Sequence, residues 1–188
     1  LTPAILLLAA GNGRRFGSDK RVACLADGRR LIDASVDVLL ATALPVFACL
    51  RLGEEELADA LAHRGVTVIG CRNAAGGMGA SLAEGVAALS REDWPAVLIA
   101  LADMPFVSPV SVAAVARAVT PDSICAPGYR GKRGHPVAFG RDFFPELTRC
   151  KGDRGAADLL QRHRAALRLL PLDDPGILRD VDTPEALG

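Results

Sequence analysis

The 188-residue sequence predicts an α/β fold, a doubly wound, mostly parallel sheet with a modified C-terminal third. Two observations carry this. Short apolar runs alternate with helical periodicities up to Thr120, and after Thr120 that rhythm breaks.

Ile5-Leu6-Leu7-Leu8 is wholly aliphatic and ends in glycines, the pattern of a strand buried on both faces. Residues 31–43 place Ile32, Val36 and Leu39-Leu40 at helical spacing. Residues 46–50 form a second strand, 54–63 a second helix, and 66–69 a third strand. Residues 78–89 carry Leu82, Val86 and Leu89 on one helical face, and 97–101 form a fourth strand. Ser108-Pro109 opens a fourth helix, with Ser as N-cap and Pro at the first helical position. This order gives parallel strands with helices on both faces. Beyond Thr120, strands at 123–126 and 136–139 flank a glycine-rich basic turn at 128–134. Helices at 141–147 and 155–164 and a late strand at 166–170 complete one domain, residues 1–188.

Lys+Arg and Asp+Glu are equal at 22 each, which argues against a partner as anionic as nucleic acid. Aromatic content is 4%, too sparse for a base-stacking platform. The five cysteines lack metal-ligand spacing and read as reduced thiols of a cytoplasmic protein, Cys49 and Cys125 in apolar runs. The apolar run 4–10 is too short to span a membrane and lacks the pattern of a signal peptide. The chain begins at Leu1 rather than Met and stops at Gly188 just after a helix start, so both ends are expected to be trimmed.

Ligands of open parallel sheets sit beyond the carboxyl ends of the strands, which singles out three segments. The first is Leu8-Ala9-Ala10-Gly11-Asn12-Gly13-Arg14-Arg15-Phe16-Gly17-Ser18-Asp19-Lys20. Its glycines let backbone N–H groups turn toward one anion, and Arg14, Arg15 and Lys20 add cations suited to a polyphosphate. It is not a P-loop, because Gly17 is followed by Ser18 and Lys20 by Arg21. It also departs from the dinucleotide fingerprint, which would need Gly or Ala at Phe16 and an acidic residue closing the second strand. Arg51 at that strand's end would suit a 2′-phosphate, so binding of NADP is weakened rather than excluded.

The second segment is Ala102-Asp103-Met104-Pro105, where a carboxylate at the sheet mouth suits a Mg²⁺ ligand or a turn-starting Asp, roles that are compatible. The third is Gly76-Gly77-Met78-Gly79-Ala80-Ser81, where glycines before a helix expose N–H groups to a ribose, base or phosphate. Asp182 in Asp180-Val181-Asp182-Thr183-Pro184-Glu185 is equally placed to complete a metal site or to sit before a helix capped by Thr183. Asp180 would face the other way if that stretch is extended. In Arg133-Gly134-His135-Pro136, the lone His is either an acceptor contact or a structural hydrogen-bonder. His63 and His163 read as solvated. In Lys151-Gly152-Asp153-Arg154-Gly155, Asp153 is the natural N-cap and Arg154 an anion contact.

These motifs together resemble the MobA-like NTP transferases, especially the molybdenum cofactor cytidylyltransferase type, across the whole chain. The likeness rests on Leu8-Ala9-Ala10-Gly11 with Arg15, Gly17 and Lys20, on Gly77-Met78-Gly79-Ala80-Ser81-Leu82, and on Asp103-Met104-Pro105. It extends to Arg133-Gly134-His135-Pro136-Val137, Gly152-Asp153-Arg154-Gly155-Ala156 and Asp180-Val181-Asp182-Thr183-Pro184-Glu185. Leu-Ala-Ala-Gly is nearer the cytidylyl than the guanylyl type, whereas Ser18-Asp19-Lys20 is similar to the guanylyl one.

The resemblance implies a Rossmann-like, nucleotide-diphospho-sugar transferase-like fold and transfer of CMP from CTP to the phosphate of molybdopterin, with pyrophosphate released. GTP, or a sugar phosphate or phospholactate acceptor, would preserve the chemistry. Lys20, Arg15 and Asp103 are then the catalytic residues, with Mg²⁺ on Asp103 and Asp182. The nucleotide falls on Ala9, Ala10, Gly11, Asn12, Gly13, Arg14, Arg15, Lys20, Gly79 and Ser81, and the acceptor on His135, Arg133 and Arg154. A molybdoenzyme client or chaperone is the implied partner. A carrier that hands over a cofactor without chemistry is the non-enzymatic alternative.

Overall fold

The computed structural model describes residues 2–11, 19–183 and 186. β1 (Ala4–Leu8), α1 (Leu31–Leu40), β2 (Val46–Arg51), α2 (Glu55–Ala62), β3 (Thr67–Cys71), α3 (Met78–Leu89), β4 (Ala96–Leu101) and α4 (Pro109–Ala118) follow in alternation. The strands lie in the order β3-β2-β1-β4, all parallel.

Every residue of β1 is buried, because helices cover both faces of the sheet. Ile5 and Leu7 pack with Ile32, Val36, Val112 and Val115 on one side. Leu6 packs with Leu82, Val86, Leu147 and Leu159 on the other. Ser108 caps α4 as expected, its side chain accepting from Val110 N at 3.2 Å.

The C-terminal third adds β5 (Ile124–Tyr129), β6 (Lys132–Arg133), β7 (Val137–Gly140), α5 (Phe144–Leu147), α6 (Ala157–Arg162) and β8 (Leu167–Pro171). β7 inserts antiparallel between β4 and β5, and β8 joins β5 in parallel. The helix expected at 141–147 is split into a 3₁₀ turn, Arg141–Phe143, and α5. Pro145 lies in the first turn of α5, where its missing N–H is tolerated but marks a helix start. The helix expected from 155 begins only at Ala157, because Gly155 is in the left-handed region at φ +54°.

Cys49, Cys71 and Cys125 are buried free thiols. His163 is not merely solvated: its Nε2 is 2.7 Å from Glu146 and its ring meets Phe143 edge-on. Among the described residues no helix is long and apolar enough to cross a membrane.

The register matters most for the site. Leu8 pairs with Cys49 on one side and Leu101 on the other, so the carboxyl ends of β1, β2 and β4 are level. The chain leaving β1 and the chain leaving β4 therefore open into one crevice. α3 lies over that sheet so closely that a Cβ at Gly85 would stand 2.6 Å from Cys49 Sγ and 2.7 Å from Leu6 Cδ2. Gly85→Val is expected to cost about 1–3 kcal/mol through overpacking, read as a lowered denaturant midpoint with an unchanged slope.

Candidate active site

A cleft of about 420 Å³ lies at the carboxyl end of the sheet. Ala9, Ala10 and Gly11 line it from β1, Asp103 from β4, Ser81 from α3, and Lys20 and Asp182 from the segments that close over it. Asn12, Gly13, Arg14, Arg15 and Gly17, and the helix start expected at Pro184-Glu185, lie outside the described residues.

Lys20 is the hub. Its Nζ donates to Asp103 Oδ2 at 2.7 Å, to Asp182 Oδ1 at 3.1 Å and to the Val181 carbonyl at 3.2 Å. Burial alone would weaken its charge, but the Asp103 and Asp182 carboxylates more than compensate, and its pKa rises above the usual lysine value. The Val181 N–H donates to the Asp103 carbonyl at 2.8 Å, which lays the C-terminal segment across the end of β4.

Asp180 does not face away. Burial, and then the negative charges of Asp182 and Asp103, raise its pKa, so its carboxyl shares their neighbourhood. The stretch after the 3₁₀ turn Pro175–Leu178 pairs with no strand, so pleat alternation does not govern it. Two carboxylates, Asp103 and Asp182, thus hold one ammonium, with the Asp180 charge nearby. Asp103 Oδ1 is buried and has no hydrogen-bond partner among the described residues. An oxygen-rich, electron-rich mouth of this kind suits a hard divalent cation. No three His, Cys, Asp or Glu side chains among the described residues form a ready-made cage. Mg²⁺ needs none, since it commonly takes one or two carboxylates together with substrate phosphates.

Arg21 was legible only as a departure from the P-loop pattern, yet it secures the site. It is 4% exposed. Its Nη1 donates to the Ala9 carbonyl at 2.6 Å and to Glu54 at 2.9 Å, and its Nε to Asp19 at 2.8 Å. Nη2 donates to Asp19 at 2.6 Å and also to Glu54. Hydrogen bonding to Arg21 lowers the Asp19 pKa. Glu54 is also depressed, since its bonds to Arg21 and Arg51 outweigh burial. Ala9 and Asp19, on either side of the first loop, are therefore tied to the segment that follows β2. Arg51, the cation available to a 2′-phosphate, is taken up by Glu54 at 2.6 Å and Asp19 at 3.4 Å.

The remaining residues lie elsewhere. The Gly79 N–H is not open to a ligand, because it donates to the Gly152 carbonyl at 2.7 Å. Asp153 does not cap α6, whose N-cap is Ala156, since Gly155 turns the chain before the helix begins. Arg154 is exposed and paired with Asp158 at 2.8 Å. Arg133 is exposed on β6 and has no ion pair among the described residues.

His135 turns into the fold behind β4, beside a small cavity of about 20 Å³ that Ser35, Ala100 and Leu101 also line. Its Nδ1 is buried without a partner among the described residues. Burial, then the Arg133 charge, push its pKa down to about 4 despite the opposing pull of Asp103.

A sheet of this order, with a lysine in the segment after β1 paired to a carboxylate after β4, defines a nucleotide-diphospho-sugar transferase-like fold of the nucleotidyltransferase class. Residues 5–167 match the MobA-like NTP transferase domain, and the chain belongs to that family. It is 28% identical to the purine catabolism protein PucB of Bacillus subtilis (strain 168), covering 96% of this chain and 91% of that one. It is 26% identical to the nicotine blue oxidoreductase of Paenarthrobacter nicotinovorans, covering 97% and 93%. The crystal structure of Rv0371c from Mycobacterium tuberculosis H37Rv superposes with a TM-score of 0.82 at 26% identity, over 98% of this chain and 95% of that one. Its complex with manganese gives 0.79 at 24% identity, over 99% and 96%.

Two outcomes follow. Arg21→Met leaves Asp19 and Glu54 without their shared buried cation and is expected to cost about 3 kcal/mol, measured by denaturant unfolding. The depressed His135 pKa means that the unfolded chain binds a proton the folded chain refuses. Stability from this group is full above pH 6.5 and is lost as pH falls toward 4, by roughly 2–3 kcal/mol. His135→Gln should remove that part of the acid sensitivity, so the gap between wild type and variant closes between pH 7 and pH 4.5.

Proposed function

We propose that this chain, acting as one domain, transfers CMP from CTP to the phosphate of molybdopterin and releases pyrophosphate. The observation that carries the reading is the Lys20 ammonium, held between the Asp103 and Asp182 carboxylates on the wall of a nucleotide-sized cleft.

Lys20, with the N–H groups and arginines of the first loop, takes the triphosphate. Asp103 and Asp182 would hold Mg²⁺, with Asp180 adding negative charge beside them. The metal, when bound, neutralises charge on the phosphates. The manganese complex of Rv0371C supports a divalent ion in this fold. An acceptor phosphate is ionised at neutral pH, so it attacks the α-phosphorus in line without a general base. Positioning and charge neutralisation supply most of the rate. That suits a cleft whose described lining holds Lys, Arg and Asp but no Ser-His pair.

The acceptor is assigned to the β4 side, with Arg133, exposed on β6, as its cation; His135 faces its own small cavity rather than the cleft. Arg154 would have to leave Asp158 to take part. The choice of cytosine rests on the cytidylyl-like Leu8-Ala9-Ala10-Gly11 at the start of the loop.

One relative is named an oxidoreductase, which favours a second reading, with NADP suggested by Arg51 at the end of β2. Its 2′-phosphate contact, Arg51, is engaged by Glu54 and Asp19, which counts against it.

Pyrophosphate release assayed with each of the four NTPs, Mg²⁺, and molybdopterin or a sugar phosphate tests the reading. CTP with molybdopterin is expected to be fastest, and no release with any pair would defeat it. Lys20→Ala and Asp103→Asn should each cut turnover at least tenfold, about 1.4 kcal/mol or more in the barrier, with near-native melting curves. Full turnover by Asp103→Asn would remove the metal role.

A further inference from the structure

Asp153, in the loop Gly152-Asp153-Arg154-Gly155, has no part in the chemistry above, yet it lines the cleft. Its carboxylate caps no helix and belongs to an exposed residue at the cleft's edge. Two glycines seat it there. A Cβ at Gly79 would stand 2.6 Å from the Lys151 carbonyl. One at Gly77, where φ is +92°, would collide with Asp153 Oδ1 and lie 2.7 Å from the Gly152 carbonyl. The Gly79 N–H then fastens the loop to α3 through Gly152. Side chains at 77 and 79 would push the carboxylate away from the cleft.

The sheet order sets where along the cleft this falls. Asp103 follows β4, whereas the turn Ala74–Gly76 and the start of α3 follow β3. β3 and β4 are three strand spacings apart, about 14 Å at ~4.8 Å each, comparable with the reach of a nucleotide from base to phosphates. Lys20 and the carboxylates around it claim the triphosphate at the β4 end, so the β3 end is left for the base. Its walls are Ala74, Ala75 and Met78, with Asp153 as the charged group among them.

We propose that Asp153 accepts a hydrogen bond from the exocyclic amino group of the donor base, N4 of cytosine, and so sets the preference for CTP over UTP. An ionised carboxylate only accepts, and the carbonyl oxygen that uracil presents at the same position is also only an acceptor. The assignment rests on the nucleotidyl-transfer reading and names the group that selects the base.

The test is calorimetric titration of CTP and of UTP, each with Mg²⁺ and no acceptor, into wild type, Asp153→Asn and Gly77→Ala. Wild type should bind CTP at least tenfold more tightly. Asp153→Asn should narrow that ratio at least fivefold, because the amide can turn its NH₂ toward uracil O4. Gly77→Ala, which displaces the carboxylate without removing it, should narrow it too. An unchanged ratio in Asp153→Asn overturns the assignment. So does equal weakening of both nucleotides, which would put the carboxylate on the ribose or the protein frame. Equal binding of CTP and UTP by wild type overturns it while the donor site stands. A wild type that binds neither removes the donor site itself, and the assignment with it.

Discussion

The site depends on one ion pair, the Lys20 ammonium against Asp103. It joins the end of the first loop to the end of the fourth strand, and Asp182 and the Val181 carbonyl bring in a third segment. At about 4 Å a unit pair gains roughly 4 kcal/mol at an effective dielectric of ~20, before desolvation. Much of that gain is cancelled when the groups are drawn partly out of water. The arrangement is therefore better understood as poised than as stabilising. Asp103 and Asp182 both pair with the Lys20 ammonium and the Asp180 charge lies near them, so carboxylates outnumber the ammonium they surround.

Beneath this pair lies a second network with a different task. Lys20 and Arg21 are adjacent in sequence, but one projects into the cleft and the other is buried under it. Asp19, Glu54 and the Ala9 carbonyl saturate the Arg21 guanidinium, so both sides of the first loop are anchored to the segment after the second strand. A planar fork can bridge two carboxylates and a carbonyl at once, which an ammonium cannot do with the same geometry. That anchoring holds the neighbouring lysine within reach of Asp103.

The opposite wall is shaped by absence. Gly77 and Gly79 lack side chains where the backbone of the 151–155 loop comes closest, and Gly85 lacks one where α3 meets the sheet. The helix N-terminus thus serves as a seat for another loop, and its Gly79 N–H is spent on protein rather than on ligand. Charge concentrates on the β4 side and small apolar surface on the β3 side, a division suited to a molecule with a charged tail and a flat head.

The sequence by itself determined the alternating strands and helices, the Ser108 cap, and the location of Lys20 and Asp103 in segments that follow strands. These follow from local periodicity and from the rule that ligands meet the carboxyl ends of parallel strands. Gly155 and Pro145 moved helix starts that periodicity alone placed too early, because backbone angle and a missing donor outrank hydrophobic pattern at an end. Only the tertiary structure decided that Asp180 sits with its neighbours, that Gly79 is already bonded, and that Arg21 is the buried clasp. The physical reason is the same in each case. Charges and N–H groups find partners across many residues of chain, and a partner 33 positions away, as Glu54 is from Arg21, leaves no trace in local pattern.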